Sequence, residues 1–182
     1  MSEQFTSERL GTLNRMPFSC GDGQLDAYFH QQASQDERRR LARTFVLREV
    51  SGVAIAGFYT LSAMSLVPAM LPSEVARKLP RFDQIPGMLL SRLAVDLGFQ
   101  GQGVGGRLLL DAIARIEAIE AGVFMIVVDA YESARGFYAK FGFQLLPGSG
   151  SRMILPMDTV RRALLPHQTG DRALNPGTLD KS

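Results

Sequence analysis

The sequence predicts one α/β domain built on a mixed, mostly antiparallel sheet flanked by helices. Three observations carry this. The first half alternates like paired strands joined by short turns. A buried strand, a glycine-rich turn and an amphipathic helix then follow one another through residues 88–119, and two more short strand segments close the apolar part of the chain. At 182 residues, 46% hydrophobic and 21% charged, the chain has the size and composition of one globular domain and leaves no room for a large second one. The domain is expected over residues 1–165, and 166–182, dominated by Pro, Gly, Asn and Asp, is expected to be a poorly ordered tail.

After a polar start, Leu25, Tyr28, Phe29 and Gln32-Ala33 recur at three-to-four spacing, an amphipathic helix opened by Gly21-Asp22-Gly23. Its downstream end carries Arg38, Arg39, Arg40 and Arg43, spread over two helical turns so that they cannot all face one way. Residues 44–50 alternate as a strand, Gly52 separates them from a second run at 53–66, and the two predict a hairpin. Residues 68–86 hold four prolines and a short helical piece at 73–79, an irregular surface excursion. A buried strand at 88–95 leads into Gln100-Gly101-Gln102-Gly103-Val104-Gly105-Gly106 and then a helix. Leu108, Leu109, Ala112, Ile113, Ile116 and Ile119 share one face of it, and Gly122 ends it. A second buried strand at 123–128, a helix at 133–141 and a strand pair at 143–146 and 153–157 follow.

Twenty Lys and Arg against eighteen Asp and Glu leave a net charge of +2, too nearly balanced for a chain that coats nucleic acid or membrane with its whole surface. The charge is uneven, however: residues 38–92 hold nine basic and three acidic side chains, a local net of +6. Seventeen of the twenty bases are Arg, whose planar fork suits phosphate better than an ammonium does; a genomic composition bias gives the same excess. The single Cys20 excludes an internal disulfide and a cysteine-based zinc site, and no metal is expected. No partner placed by a motif activates Cys20, which reads as a small residue packed near a turn. No apolar run approaches the roughly 20 residues of a bilayer span, and Met1-Ser2-Glu3-Gln4 opens no signal peptide, so no membrane association and a cytoplasmic location are expected.

A strand, a glycine-rich turn and a helix N-terminus converge backbone N–H groups on an anion, usually a phosphate. A P-loop would need Lys and Ser or Thr after its glycines, and none follows Gly105. The dinucleotide pattern Gly-x-Gly-x-x-Gly is met formally from Gly101 to Gly106, but no repeating βαβ units flank it. The third pattern, Gln/Arg-x-x-Gly-x-Gly/Ala, is met by Gln100, Gly103 and Gly105. Here the chain resembles the GNAT acyltransferases. Arg92-Leu93-Ala94-Val95-Asp96 is similar to that family's bulged fourth strand, Ile126-Val127-Val128-Asp129-Ala130 to its fifth, and Ala134 with Phe137-Tyr138-Ala139-Lys140-Phe141-Gly142-Phe143 to its closing motif.

The resemblance implies the GNAT fold, splayed between its fourth and fifth strands, and an acetyl-CoA site. Backbone N–H groups of Gln100, Gly101, Gln102, Gly103, Val104, Gly105 and Gly106 would hold the pyrophosphate. The pantetheine would lie along Leu93, Ala94 and Val95, with Ala134, Phe137 and Phe141 completing the wall. Tyr138 is implied as the general acid for the departing thiolate, and a backbone N–H near Leu93 or Ala94 as the oxyanion donor. Many relatives place an Asn where this chain has Tyr131, so the contact of that Asn is missing here. No general base declares itself: His30 and His167 fall outside the motifs, and Asp129 and Glu132 are left as bases acting through water. An α-amine, with a pKa of about 8, needs less help than a lysine near 10.4.

The N-terminal part narrows the resemblance. Phe18-Ser19-Cys20-Gly21, Leu25-Asp26-Ala27-Tyr28-Phe29, Gly57-Phe58-Tyr59-Thr60-Leu61-Ser62 and Arg152-Met153-Ile154-Leu155-Pro156-Met157 are similar to the GNAT toxins of bacterial toxin–antitoxin modules, the TacT/AtaT-like group. That group implies transfer of acetyl to the α-amine of aminoacyl-tRNA, neutralisation by a ribbon-helix-helix antitoxin that represses the operon together with the toxin, and a homodimer. Arg38, Arg39, Arg43, Arg77, Lys78, Arg81 and Arg92 are the candidate tRNA phosphate contacts, Arg92 first among them for its place beside the thioester strand. Two alternatives stand beside this one. A GNAT enzyme for a small amine or a protein N-terminus would have a narrow acidic or apolar acceptor pocket. A silent acyl-CoA-binding co-repressor would be expected to lose the glycine loop or Tyr138.

Overall fold

The structure, a computed structural model, describes residues 4–79 and 82–164. Seven strands form one sheet in the order β1-β2-β3-β4-β5-β7-β6. The strands are β1 (Phe5–Arg9), β2 (Arg43–Glu49), β3 (Ile55–Leu66), β4 (Ile85–Val95), β5 (Met125–Asp129), β6 (Gln144–Leu145) and β7 (Arg152–Pro156). All neighbours pair antiparallel except β4 and β5, as the sequence predicts. β1 is an addition: it is short and mostly polar, with no alternation to betray it, and it holds to β2 partly through the Glu8–Arg48 ion pair at 2.8 Å.

One face carries α1 (Gly23–Ala27), a π-helical turn (Tyr28–Gln32) and α2 (Ala33–Arg38), which run on without a break. The Asp22 carboxylate caps α1 by accepting from the Gln24 and Leu25 N–H groups. The π turn keeps Tyr28, Phe29 and Ala33 all on the sheet side, where Phe29 stacks flat on Phe58 with centroids 4.1 Å apart. α2 ends at Arg38 with Arg40 in a left-handed conformation (φ 59°). The arginine cluster therefore does not span two helical turns: Arg38 ends α2, Arg39 and Arg40 lie on a turn, and Arg43 opens β2. The excursion carries α3 (Ser73–Ala76) on this same face.

The opposite face carries α4 (Val104–Glu117), α5 (Glu132–Ala139) and α6 (Met157–Leu164). In α4 Leu108, Leu109 and Ile116 are at most 2% exposed, each contributing about 1.5–3 kcal/mol of burial. α4 stops five residues before Gly122, and Ile119 lies beyond it at 36% exposure, outside the core. Gly57 lets this helix approach: a Cβ there would lie 2.6 Å from Leu108 Cδ1 and 2.8 Å from the Ala94 carbonyl oxygen. Half-buried Asp111 ties α4 to the far edge of the sheet, accepting from the Ser7 and Tyr59 hydroxyls and from Arg115 Nε. Burial opposes its charge, but these donors win and hold the carboxyl below its usual range. α6 is a second addition, hidden in the sequence by its position directly after β7. The tail expected from 166 lies outside the described residues, among which no helix is long and apolar enough to cross a membrane.

Candidate active site

The two central strands part company. β4 and β5 pair only from Gly87↔Met125 to Leu90↔Val128, after which residues 91–95 have no β5 partner. The cause is local. The β3–β4 register slips between Thr60 and Leu61, Ser91 being the extra residue, and the Ser91 hydroxyl lies 2.7 Å from that of fully buried Thr60. A bulge adds twist and bends its strand, here turning β4 away from β5. The bulge thus falls one residue ahead of Arg92-Leu93-Ala94-Val95-Asp96. It leaves the β4 main chain open along the stretch that holds Leu93, Ala94 and Val95. Ala94 is buried on the α1–α2 face, whereas half-buried Leu93 and Val95 belong to the α4 face.

Beyond the open edge lies the glycine loop. Gly101 and Gly103 have φ of +76° and +77°, Gly103 is the N-cap of α4, and a Cβ built on either meets nothing within 4 Å. The backbone N–H groups at the N-terminus of this 14-residue helix thus border open space, the setting in which a helix start accepts an anion. Buried Val104 anchors the loop to the core, and half-buried Gly105 and Gly106 lie against Phe137 (3.7 Å) and Phe141 (3.4 Å) of the α5 segment, as measured from an added Cβ. The Gln100 side chain is turned inward. Its Nε2 donates to the Cys20 and Val95 carbonyls at 3.0 and 3.1 Å, while Gln102 Nε2 donates to the Gly98 carbonyl. Asp96 adds to this stitching by accepting from the Ser19 and Gly98 N–H groups, both at 2.9 Å. The loop before α1 is therefore fastened to the glycine loop, an arrangement sequence reasoning missed although Asp96-Leu97-Gly98 carries the Asx-turn signal.

On the other side of the splay is a cavity of about 550 Å³ between α1, the end of β5 and the bulge of β4. Tyr138, 8% exposed, and Ala134 line it from α5, Arg92 and Leu93 from β4, and Tyr28 from the π turn. Burial alone pushes the Tyr138 phenol up to about 12, so it stays protonated through the neutral range. The Arg92 guanidinium lies 3.5 Å from the centroid of the Tyr28 ring, and Tyr28 donates to Asp36 at 3.0 Å. Burial and that donation raise the Tyr28 phenol to about 12 against the pull of Arg92. Tyr28 looks in the sequence like one more apolar helix position, and only the fold shows it holding Arg92 at the cavity wall.

The carboxylate of Asp129 at the cavity edge receives two hydrogen bonds from Arg152, at 2.8 and 2.7 Å, an ion pair that spends it structurally. His30 Nε2 is hydrogen-bonded with the Phe18 carbonyl at 2.9 Å, away from the cavity. Cys20 has its thiol pushed up to about 11, burial first among the causes, which disfavours the nucleophilic thiolate. The other arginines scatter. Arg38 borders a hollow with Arg15, Arg43 one beside Phe45 and the end of α4, and Arg39, Arg77 and Lys78 are exposed. None of these five, nor Arg92, forms an ion pair among the described residues, whereas Arg48 is held by Glu8. Arg81 and His167 lie outside the described residues. The structure thus brings Arg92, Leu93, Ala134 and Tyr138 to one cavity and leaves the remaining described cations elsewhere on the surface.

Residues 83–152 match the family model described as "Acetyltransferase (GNAT) domain". A curated relative from Mycobacterium tuberculosis, named as a tRNA-acetylating toxin, is 38% identical over 147 residues, which are 79% of this chain and 86% of the relative. The solved structure of AtaT complexed with acetyl-methionyl-tRNAfMet is similar with a TM-score of 0.81 at 26% identity, over 88% of this chain and 99% of that one. The structure of AtaTR bound with AcCoA is similar with a TM-score of 0.77, again at 26% identity, over 89% and 99%.

Proposed function

The chain belongs to the GNAT acetyltransferase family, in the branch of tRNA-acetylating toxins, and from that premise we propose that it transfers acetyl from acetyl-CoA to the α-amine of an aminoacyl-tRNA and so blocks translation. The observation that supports this reading is the splay itself: β4 leaves β5 after Leu90, with the glycine loop following the unpaired stretch and the cavity of Tyr138 and Arg92 lying beside it. Acetyl-CoA fits the unpaired stretch and the loop, its pyrophosphate on the N–H groups of residues 100–106 and its pantetheine along the unpaired main chain of Leu93, Ala94 and Val95, closed by Ala134, Phe137 and Phe141. The acceptor enters the cavity.

Acetyl-CoA supplies an activated carbonyl; the neutral amine adds to it, the C–N bond forms and the C–S bond breaks. A main-chain N–H of β4 near Leu93 or Ala94 stabilises the developing oxyanion. Tyr138, a protonated phenol at neutral pH, gives its proton to the departing sulfur and regains one from the amine nitrogen, so the products are the amide and the free thiol. Asp129 is engaged by Arg152, which suits an acceptor amine that is already partly neutral at pH 7. Arg92 steers the acceptor end, and the exposed Arg38, Arg39, Arg43, Arg77 and Lys78 provide non-specific phosphate contacts around it, with Arg81 a further candidate. The fitting partners are a ribbon-helix-helix antitoxin and a second copy of the chain, and tRNA as substrate puts the protein in the cytoplasm.

The test is transfer of labelled acetyl from acetyl-CoA onto a pool of charged tRNAs, with uncharged tRNA and free amino acids as controls. Label is expected on charged tRNA alone, and Tyr138→Phe is expected to lower kcat by about 10²–10⁴ with acetyl-CoA binding retained. Label on free amino acids instead, or a Phe variant as fast as the parent, would overturn the assignment.

A further inference from the structure

Four tyrosines and no tryptophan occur in the chain, and three of those tyrosines line the acceptor cavity. Tyr28 is 4% exposed with its ring covered by Arg92, and Tyr138 is 8% exposed. Tyr131 differs from both: it is 65% exposed at the cavity's lip. Its hydroxyl has no hydrogen-bond partner and its ring no aromatic or cationic neighbour among the described residues. Its backbone, in contrast, is fixed. Tyr131 is the N-cap of α5, and its carbonyl accepts from the Ala134 N–H at 2.9 Å. A large π face on a fixed backbone position is therefore offered to solvent at the rim of the cavity.

We propose that Tyr131 is a stacking platform for the terminal nucleobase of the acceptor strand. This rests on the aminoacyl-tRNA reading, in which the amine to be acetylated is joined through its ester to the last ribose. A base on that ribose is one sugar away from the thioester and has to lie at the rim of the cavity once the aminoacyl group is inside. Unpaired bases at strand ends are held by stacking on aromatic side chains and guanidinium planes. Arg92 already stacks on Tyr28, so Tyr131 is the free face at this rim. Stacking makes no use of base edges, and the phenol hydroxyl is not required.

Kinetics of Tyr131→Ala, Tyr131→Phe and Tyr131→Trp on two acceptors test this, a charged tRNA and the methyl ester of the same amino acid, which has no base. Tyr131→Ala is expected to lose about 5- to 100-fold in kcat/KM on charged tRNA, mainly through KM. Its KM for acetyl-CoA and its rate on the ester should stay unchanged, and Phe and Trp should restore the parent rate to within about twofold. No loss on charged tRNA, an equal loss on both acceptors, or a raised KM for acetyl-CoA each overturns the proposal. The last two outcomes would assign the ring to the amino acid or to the cofactor. A parent enzyme that ignores charged tRNA altogether refutes the underlying functional reading instead.

Discussion

The same chemical change, one added methyl group, should have opposite consequences at two glycines two residues apart. Gly103 sits at φ +77° as the N-cap of α4, and a Cβ there meets nothing within 4 Å. The cost of Gly103→Ala is therefore purely one of backbone, about 1–2 kcal/mol for an L residue in the left-handed region. Because the residue is exposed and nothing packs on it, the loop relaxes out of shape without pulling on the core. The cost then falls on the fraction of molecules ready to bind, which scales the apparent affinity directly. At 1.4 kcal/mol per decade this weakens acetyl-CoA binding by about 5- to 30-fold, with little change in Tm.

Gly105 is helical, and a Cβ there would lie 3.7 Å from Phe137 and from Val95, an ordinary contact. Gly105→Ala should leave affinity within about twofold and, in the first turn of α4, gain up to about 0.5 kcal/mol of helix stability, raising Tm by up to roughly 2 °C. Calorimetric titration of acetyl-CoA and thermal unfolding of both variants measure this. If Gly105→Ala weakens acetyl-CoA as much as Gly103→Ala does, the conformational account of the loop is wrong.

Two further outcomes are expected. Arg92→Glu should weaken use of charged tRNA far more than binding of acetyl-CoA and should lower the salt dependence of tRNA affinity by about one unit of slope; equal loss of both would assign Arg92 to the cofactor or, through its stack on Tyr28, to the fold. Burial raises the Tyr138 phenol from about 10 to about 12, so the folded chain keeps between pH 10 and 12 a proton that the unfolded chain sheds. Stability from this group is complete below pH 10 and declines by about 2–3 kcal/mol as the pH rises to 12, and urea midpoints at pH 9 and 11 should diverge less in Tyr138→Phe than in the parent.

Local chemistry made much of the molecule legible before folding. The 3.6-residue spacing of Leu108, Leu109, Ala112 and Ile116 marks α4, the alternation around Gly52 marks the β2–β3 hairpin, and the spacing of Gln100, Gly103 and Gly105 marks an anion loop. In that pattern glycine is needed where φ is positive, and alanine is tolerated where the position is helical and uncrowded. Those signals are local because each depends on residues a few positions apart. β1 has no alternation of its own and is made regular by pairing with β2, whereas α6 carries a helical spacing in Met157, Val160 and Leu164 that its position directly after β7 masked.

The sequence by itself determined the fold class, the loop and the position of Tyr138. Only the tertiary structure decided that the bulge at Ser91 opens β4 from β5 and that Tyr28 holds Arg92 at the cavity. It also decided that Arg152 pairs with Asp129, that Gln100 spends its side chain on the Cys20 and Val95 carbonyls, and that the arginines of residues 38–43 divide among the end of α2, a turn and the start of β2. The physical reason is range. Periodicity and turn chemistry act within a few residues, whereas a cavity and the partner of a charge are set by contacts between segments tens of residues apart, which no local pattern encodes.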